Sequence, residues 1–470
     1  MRENNWEYAL DCSAGIGNYY ALERGEAYLS YWEIGLGISR DGTEVPDWHR
    51  QRNLVPRPAA QALVDLGVHH SLSEEHGPEA DDGTQETEPQ GNPPPAAWRG
   101  KRQQRRTVQG RFAGCLLGGA VGDALGAAVE FDSRATILTT FGPEGITDYA
   151  PVYGGLGRIT DDTQMTLFTA EGLLRGWVRL ALKGITTYPG VTAHAYLRWL
   201  RTQGERPARD IDLGFDEPGW LFQQRELHSR RAPGNTCLAA LRTMASLGDP
   251  ARNDSKGCGG VMRVAPAGLF AWRLGKVASP QDAFRLGTDL AALTHGHPTG
   301  ALAGGVLAVL VLALTDGASL ADGLAAAKTM LCAEPGHEET LRAIEMAETL
   351  AMEGLPHDAA IARLGQGWVA EEALAISIYC ALVARNLKHG VILAVNHDGD
   401  SDSTGSITGN LLGARHGVKA IPSEWLEALE LREVIATVAE DLYAFMDWDI
   451  GEFSTNTELN QSIWQKYPGF

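Results

Sequence analysis

From Val108 onward, apolar residues recur three and four positions apart over helix-length stretches. This spacing predicts helices over 111–129, 163–183, 190–203, 235–247, 281–294, 299–315, 319–331, 337–353, 371–387 and 403–415. β-branched runs are few and strands do not alternate with helices, which disfavours a doubly wound sheet and predicts a compact all-α body. The longest apolar run, Ala301 to Leu314, contains two glycines and is short for a membrane span, so it predicts a buried core helix. Two of the helices carry glycine at every fourth position: Gly114, Gly118, Gly122 and Gly126 in one, Gly405, Gly409 and Gly413 in the other. Each glycine costs roughly 1 kcal/mol of helix propensity relative to alanine, and a stripe of them makes sense where another backbone comes close.

The first 70 residues have a different texture. Trp6, Tyr8, Tyr19, Tyr20, Tyr28, Tyr31, Trp32 and Trp48 stand among glycine-containing turns. Such a pattern predicts strands and hairpins, a small module of α+β class whose aromatics suit either a core or an interface. Residues 71–106 run from an acidic, proline-rich stretch into the basic sequence RGKRQQRR. They bury too little apolar surface to fold and are expected to form a flexible linker. The body is then 107–450, followed by a C-terminal tail at 451–470.

Charge narrows the function classes. With 40 basic and 59 acidic residues the balance is 40 − 59 = −19. A strongly acidic chain repels a phosphate backbone, so neither nucleic acid nor membrane is an expected partner. The six cysteines are scattered without a CxxC pair, so no zinc or iron–sulfur signature is present. The start, MRENNWEYALDCS, lacks a basic segment followed by an apolar one. A cytoplasmic protein with reduced thiols is expected.

Three constellations carry chemistry. In Ile159-Thr160-Asp161-Asp162-Thr163-Gln164-Met165 the acids and hydroxyls suit a helix start, yet two adjacent carboxylates exceed what capping needs. They repel unless a cation joins them, and an oxygen-only set suits Mg²⁺, Mn²⁺ or Ca²⁺. The second is Asn396-His397-Asp398-Gly399-Asp400-Ser401-Asp402-Ser403-Thr404-Gly405. An EF-hand reading fails, because its sixth and twelfth positions would be Ser403 and Gly409 in place of Gly and Glu. Asp400-Ser-Asp402-Ser-Thr404 also fits a DxDxT phosphatase nucleophile after VILAV as a strand, but the short remainder lacks the α/β alternation of that fold. The third is Glu130, closing an apolar helix where the dipole opposes it, so it either faces solvent or meets a cation.

Taken together, GRFAGCLLGGAVGDALGAAVEF, ITDDTQMTLFTAEGLL, RAPGNTCLAAL, GCGGVMRVAPAGLF, LTHGHPTGALAGGVLA and NHDGDSDSTGSITGNLLGARHG resemble, in order, the ADP-ribosylglycohydrolase family of dinitrogenase-reductase-activating glycohydrolases and ADP-ribosyl-arginine hydrolases. The resemblance spans about 108–448. It implies an all-α, orthogonally packed fold with a two-metal centre, Mg²⁺ or Mn²⁺. By position, Thr160, Asp161 and Asp162 match its first ligand group, and Asp400, Asp402 and Ser403 its second. Glu130 matches a glutamate that in some members lies next to the metals with a ligand or acid/base role, and Asp162 or Glu130 could act as the general base or shuttle the proton to the leaving group. Cys258 stands where the family places Asn between glycines. With no evident partner, its thiol reads as a small packed residue.

The implied substrate contacts are backbone amides of Gly259, Gly260 and Val261 near a diphosphate, with Gly399, Ser401 and His295 nearby. His295 and His297 stand before Pro298, where capping or polar packing fits better than metal ligation. The implied activity is metal-dependent hydrolysis of the bond between ADP-ribose and a protein side chain. Arginine is the expected linkage, from the match of TDDTQM and the VEF ending to the bacterial activating branch. The alternative is an immunity protein that binds an ADP-ribosylating toxin through residues 1–70. Expected partners are therefore an ADP-ribosylated protein, ADP-ribose and, in the alternative, a toxin.

Overall fold

A computed structural model describes residues 107–208, 218–275, 278–451 and 454–469 in full. It also gives the backbone of 96–106 and of five short strands near the start. The chain divides into two units, 1–96 with 449–460, and 97–448 with 461–470. In the first, the described strands are β1 (Glu7–Tyr8), β2 (Tyr19–Glu23), β3 (Glu26–Trp32), β4 (Gly35–Ile38) and β5 (Leu54–Val55), in one sheet with β2 and β3 antiparallel. Most of 1–95, and with it the expected interaction module and the acidic part of the expected linker, lies outside the described residues.

The second unit is helical throughout, as the patterning predicts. Its helices are α1 (Ala96–Gly126), α2 (Arg134–Phe141), α3 (Asp161–Lys183), α4 (Tyr188–Thr202), α5 (Asn235–Thr243), α6 (Ala265–Leu274), α7 (Pro280–Ala292) and α8 (Pro298–Asp316). There follow α9 (Leu320–Leu331), α10 (Glu338–Glu353), α11 (His357–Leu364), α12 (Ala370–Val383), α13 (Leu387–Val395), α14 (Ser401–His416), α15 (Ser423–Ala428), α16 (Arg432–Ala444) and α17 (Thr457–Lys466).

Three expectations change here. The basic run 99–106 is helical and continues into α1, as suits Arg, Lys and Gln, which are good helix formers. The apolar VILAV belongs to helix α13 and not to a strand, which removes the phosphatase reading. The tail at 451–470 carries α17, and Tyr467 is buried with its hydroxyl donating to Asp441 at 2.5 Å.

Helix α8 is long and apolar enough to cross a membrane, yet its residues are mostly buried against the rest of the unit, with α7, α6 and α9 around it. It is the core helix that the apolar run predicts.

The two glycine stripes are each other's partners. A Cβ placed on Gly114 would lie 2.5 Å from the Gly413 carbonyl oxygen, one on Gly118 2.5 Å from that of Gly409, and one on Gly122 2.0 Å from that of Gly405. One on Gly126 would lie 2.3 Å from the carbonyl oxygen of Ser401. Helices α1 and α14 thus run antiparallel in backbone contact along their glycine faces. The consequence is positional: the end of α1 meets the start of α14, where the acidic residues stand.

Candidate active site

Each acidic group is placed by a helix end. Thr160 caps α3, its hydroxyl accepting from the Asp162 amide at 3.3 Å, so Asp161 and Asp162 occupy the first turn. Asp400 caps α14, accepting from the Ser403 amide at 3.4 Å, and Asp402 accepts from that amide at 2.9 Å. Both caps put carboxylates at positive dipole ends. After Gly126 the chain coils through tight turns, with the Val129 amide donating to the Gly126 carbonyl at 2.9 Å. These turns direct Glu130 toward the start of α14. One carboxylate oxygen each of Glu130, Asp400 and Asp402 come within 4.8 Å of one another, all three residues buried.

These acids line a cavity of about 570 Å³ together with Phe131, Asp161, Gly234, Cys258, Gly259, His295, Trp368 and Ser403. Its electrostatics are those of crowded anions. Burial, then Asp402 and Asp400, pushes Glu130 up to about 11. Burial and Asp402 likewise raise Asp161, Asp162 and Asp400 well above the usual carboxylate range. Three buried oxygens, Glu130 Oε2, Asp162 Oδ1 and Asp400 Oδ2, have no hydrogen-bond partner. Buried carboxylate oxygens that no donor satisfies, set among hydroxyls, form a donor set that fits divalent cations with oxygen ligands. Thr160, Asp161, Asp162, Asp400, Asp402, Ser403 and Glu130 are the residues able to hold them.

The substrate-side expectations divide. Gly259 and His295 line the cavity, whereas Gly260, Val261, Gly399 and Ser401 do not. Val261 is fully buried core, and a Cβ on Gly260 would lie 2.9 Å from the Gly300 carbonyl oxygen, so both face inward. Gly399 packs on Gln366 at φ +124°, and Ser401 is enclosed, its hydroxyl donating to the Gly399 carbonyl at 3.3 Å. These positions shape the loop from within. His297 caps α8, accepting from the Thr299 amide at 3.2 Å, as its place before Pro298 suggests. His295 is held low, at about 3, by burial and then Arg263, so it is neutral, and Nδ1 pairs with the Thr294 hydroxyl at 2.8 Å.

Sequence reasoning missed the braces. Asp123, fully buried on α1, accepts from the amides of Thr160 at 3.0 Å and Thr163 at 3.1 Å and pairs with the Thr163 hydroxyl. It clamps the start of α3 to α1. Burial and then Asp402 raise it to about 7, against the bonds from Thr163 and Thr160, which lower it. Its signal was present in GDALG, an acid inside a glycine-striped helix face. Glu430 pairs with Arg231 and Arg158, and Arg231 donates to the Ile159 carbonyl at 2.8 Å. That brace fixes the approach to Thr160, and it joins residues too far apart in the chain for any motif to show. Cys258, expected as packed, is instead partly exposed on the cavity wall.

Comparison with known proteins bears on the family and the fold. The family model described as ADP-ribosylglycohydrolase matches residues 104–450. The chain is 27% identical over 335 residues to the ADP-ribosyl-[dinitrogen reductase] glycohydrolase of Rhodospirillum rubrum, covering 69% of this chain and 92% of that one. It is 24% identical over 342 residues to the ADP-ribosylarginine hydrolase Tri1 of Pseudomonas putida, covering 71% and 78%. A solved structure, an ADP-ribosylglycohydrolase-related protein complex, superposes with a TM-score of 0.54 at 30% identity, over 73% of this chain and 99% of that one. With a family match across most of its length and the matching helical fold, the chain belongs to the ADP-ribosylglycohydrolase family.

Proposed function

We propose that this protein is a divalent-cation-dependent hydrolase that removes ADP-ribose from arginine side chains of modified proteins. The observation that carries the reading is the convergence of Glu130, Asp161, Asp162, Asp400 and Asp402 on one cavity, with three buried oxygens unpartnered. The arginine linkage is supported by one relative, the ADP-ribosylarginine hydrolase of Pseudomonas putida.

Two cations held by Thr160, Asp161, Asp162, Asp400, Asp402 and Ser403 would supply concentrated positive charge at the ribose hydroxyls and Lewis acidity toward water. The chain's own residues do the rest. Scission of the C1″–nitrogen bond leaves cationic character on the ribose, which the surrounding carboxylates favour. The leaving guanidine needs a proton and the attacking water must lose one. Asp162 and Glu130 line the same cavity and have the carboxyl groups to move them. Neutral His295 offers a polar contact without adding charge, and Gly259 packs against its ring, where a Cβ would lie 3.1 Å from Cε1.

The test is incubation with arginine-ADP-ribosylated protein in Mg²⁺ or Mn²⁺ and in excess chelator. Release of free ADP-ribose with cation and none with chelator is expected. No release with either cation overturns the reading. Asp402→Ala is expected to abolish release while far-ultraviolet circular dichroism stays unchanged, and retained turnover would remove Asp402 from the centre.

A further inference from the structure

Arg263 is fully buried, and its donors all go to neutral acceptors. Nε donates to the Tyr196 hydroxyl at 3.0 Å, and Nη1 to Cys237 Sγ at 3.3 Å and Met165 Sδ at 3.7 Å. Nη2 donates to the Leu290 carbonyl at 3.2 Å and to the Thr294 hydroxyl at 2.7 Å. The guanidinium also lies over the Tyr196 ring, 4.4 Å from its centroid. A buried cation is costly, and packing alone would be served as well by an apolar side chain of that size.

The Thr294 hydroxyl passes the effect of this cation onward. A guanidinium only donates, so Thr294 Oγ1 accepts from it and keeps its own proton to give. His295 Nδ1 lies 2.8 Å from that oxygen. Cys237 Sγ is another neighbour of the hydroxyl, but thiol sulfur is a weak acceptor and this one already takes the bond from Nη1. An imidazole nitrogen that accepts carries no proton, so the proton of the neutral ring stands on Nε2. The fixed positive charge behind Thr294 favours the same form, because it attracts the Nδ1 lone pair.

The placement of the ring brings this to the cavity. A Cβ on inward-facing Gly260 would lie 3.3 Å from Nδ1, whereas one on Gly257 would lie 3.3 Å from Nε2. Gly257 and Gly259 line the cavity, so the cavity meets the Nε2 end of the ring. Among the described residues Nε2 has no hydrogen-bond partner, while Nδ1 has Thr294.

We propose that Thr294, oriented by Arg263, is a positioning residue that locks His295 in its Nε2–H form, so that this wall of the acidic cavity presents a fixed neutral donor to an oxygen atom of the ADP-ribosyl group. The identity of that group rests on the function proposed above, whereas the tautomer does not. In the other tautomer a lone pair would face the same oxygen and repel it.

The test is long-range proton–nitrogen NMR correlation of the full chain, carrying ¹⁵N-labelled histidine and held in Mg²⁺, with His295→Gln identifying the His295 signals. The wild type is expected to show Nδ1 unprotonated and Nε2 protonated, without averaging. Thr294→Ser keeps the hydroxyl and is expected to give the same pattern. Thr294→Val keeps the shape but removes the donor to Nδ1, and is expected to give the averaged signals of two exchanging tautomers. ADP-ribose affinity, read by calorimetry, is expected to fall about two- to tenfold in Thr294→Val, the worth of one hydrogen bond, and to hold in Thr294→Ser. Circular dichroism on both variants separates a lost tautomer from a lost fold. A wild-type ring protonated at Nδ1, or averaged, overturns the lock whether or not either variant folds. A folded Thr294→Val that keeps the Nε2–H pattern overturns it as well. Averaged signals in Thr294→Val with undiminished ADP-ribose affinity overturn the contact to substrate. A wild type that shows the Nε2–H pattern but binds no ADP-ribose overturns the proposed function, and with it that contact, but not the lock.

Discussion

Glu130 follows the C-terminal end of α1 through the turns after Gly126 and lies within reach of Asp400 and Asp402, which disfavour its charge. Tight turns after Gly126 hold it there, so its ionisation depends on what else enters the cavity. Glu130→Gln keeps the shape and removes the exchangeable proton. Turnover is expected to fall about 10²–10⁴-fold, the usual contribution of a positioned acid or base. The metal-free variant is expected to melt no lower than the wild type, since one member of a repelling set is gone. An undiminished rate would exclude Glu130 from proton transfer. Asp123 is a positioning residue. Asp123→Ala strands the buried amides of Thr160 and Thr163 and is expected to cost about 1–3 kcal/mol for each unsatisfied group, measured by denaturant unfolding. At this scale the sequence displayed Asp161, Asp162, Asp400 and Asp402, because they stand at the caps and first turns of two helices, which is a local pattern. It concealed Asp123 as a clamp and Cys258 as a wall residue, because their partners lie on other elements.

The α1–α14 crossing makes an opposite pair of predictions at two glycines of one helix. Gly110 has open space where a Cβ would stand, so Gly110→Ala is expected to stabilise the protein by up to about 1 kcal/mol through helix propensity. Gly122→Ala would drive its methyl to 2.0 Å from the Gly405 carbonyl oxygen. It is expected to destabilise by about 1–3 kcal/mol, the range for overpacking, and to weaken cation binding by spreading α1 from α14. Melting of the two variants with and without Mg²⁺ checks both signs. If Gly122→Ala stabilises as Gly110→Ala does, the close approach is not needed. The stripes announced that some backbone approaches, and their spacing of four placed it on one face. That each stripe is the other's partner depends on the antiparallel crossing, which leaves no trace in either segment alone.

For the whole molecule, the buried acids couple folding to pH and, in the function proposed above, to cation. Without cation, burial and mutual repulsion raise the folded-state values of Asp161, Asp162 and Asp400, with Asp123 at about 7 and Glu130 at about 11. The folded chain then binds more protons than the unfolded one once pH exceeds about 4, where unfolded carboxylates ionise. This stability is present in full below that pH and is lost as pH rises through the raised folded values. Cation binding opposes the loss, by about 2.7 kcal/mol at a hundred times the dissociation constant. Melting curves at pH 5, 6, 7 and 8 in chelator and in Mg²⁺ are expected to diverge, the chelated form falling further behind as pH rises. A constant gap would mean that the acids are not the cation's ligands. The sequence by itself determined the helical class, through apolar spacing that only a helix can bury. It also determined the identity of the acids that gather, because caps, dipoles and crowded carboxylates are local physics. Only the tertiary structure decided that the ends of α1, α3 and α14 meet at one cavity, that Asp123 and Glu430 brace it, and that Cys258 stands on its wall. Those facts belong to residues tens to hundreds of positions apart, brought together by packing that no local pattern encodes.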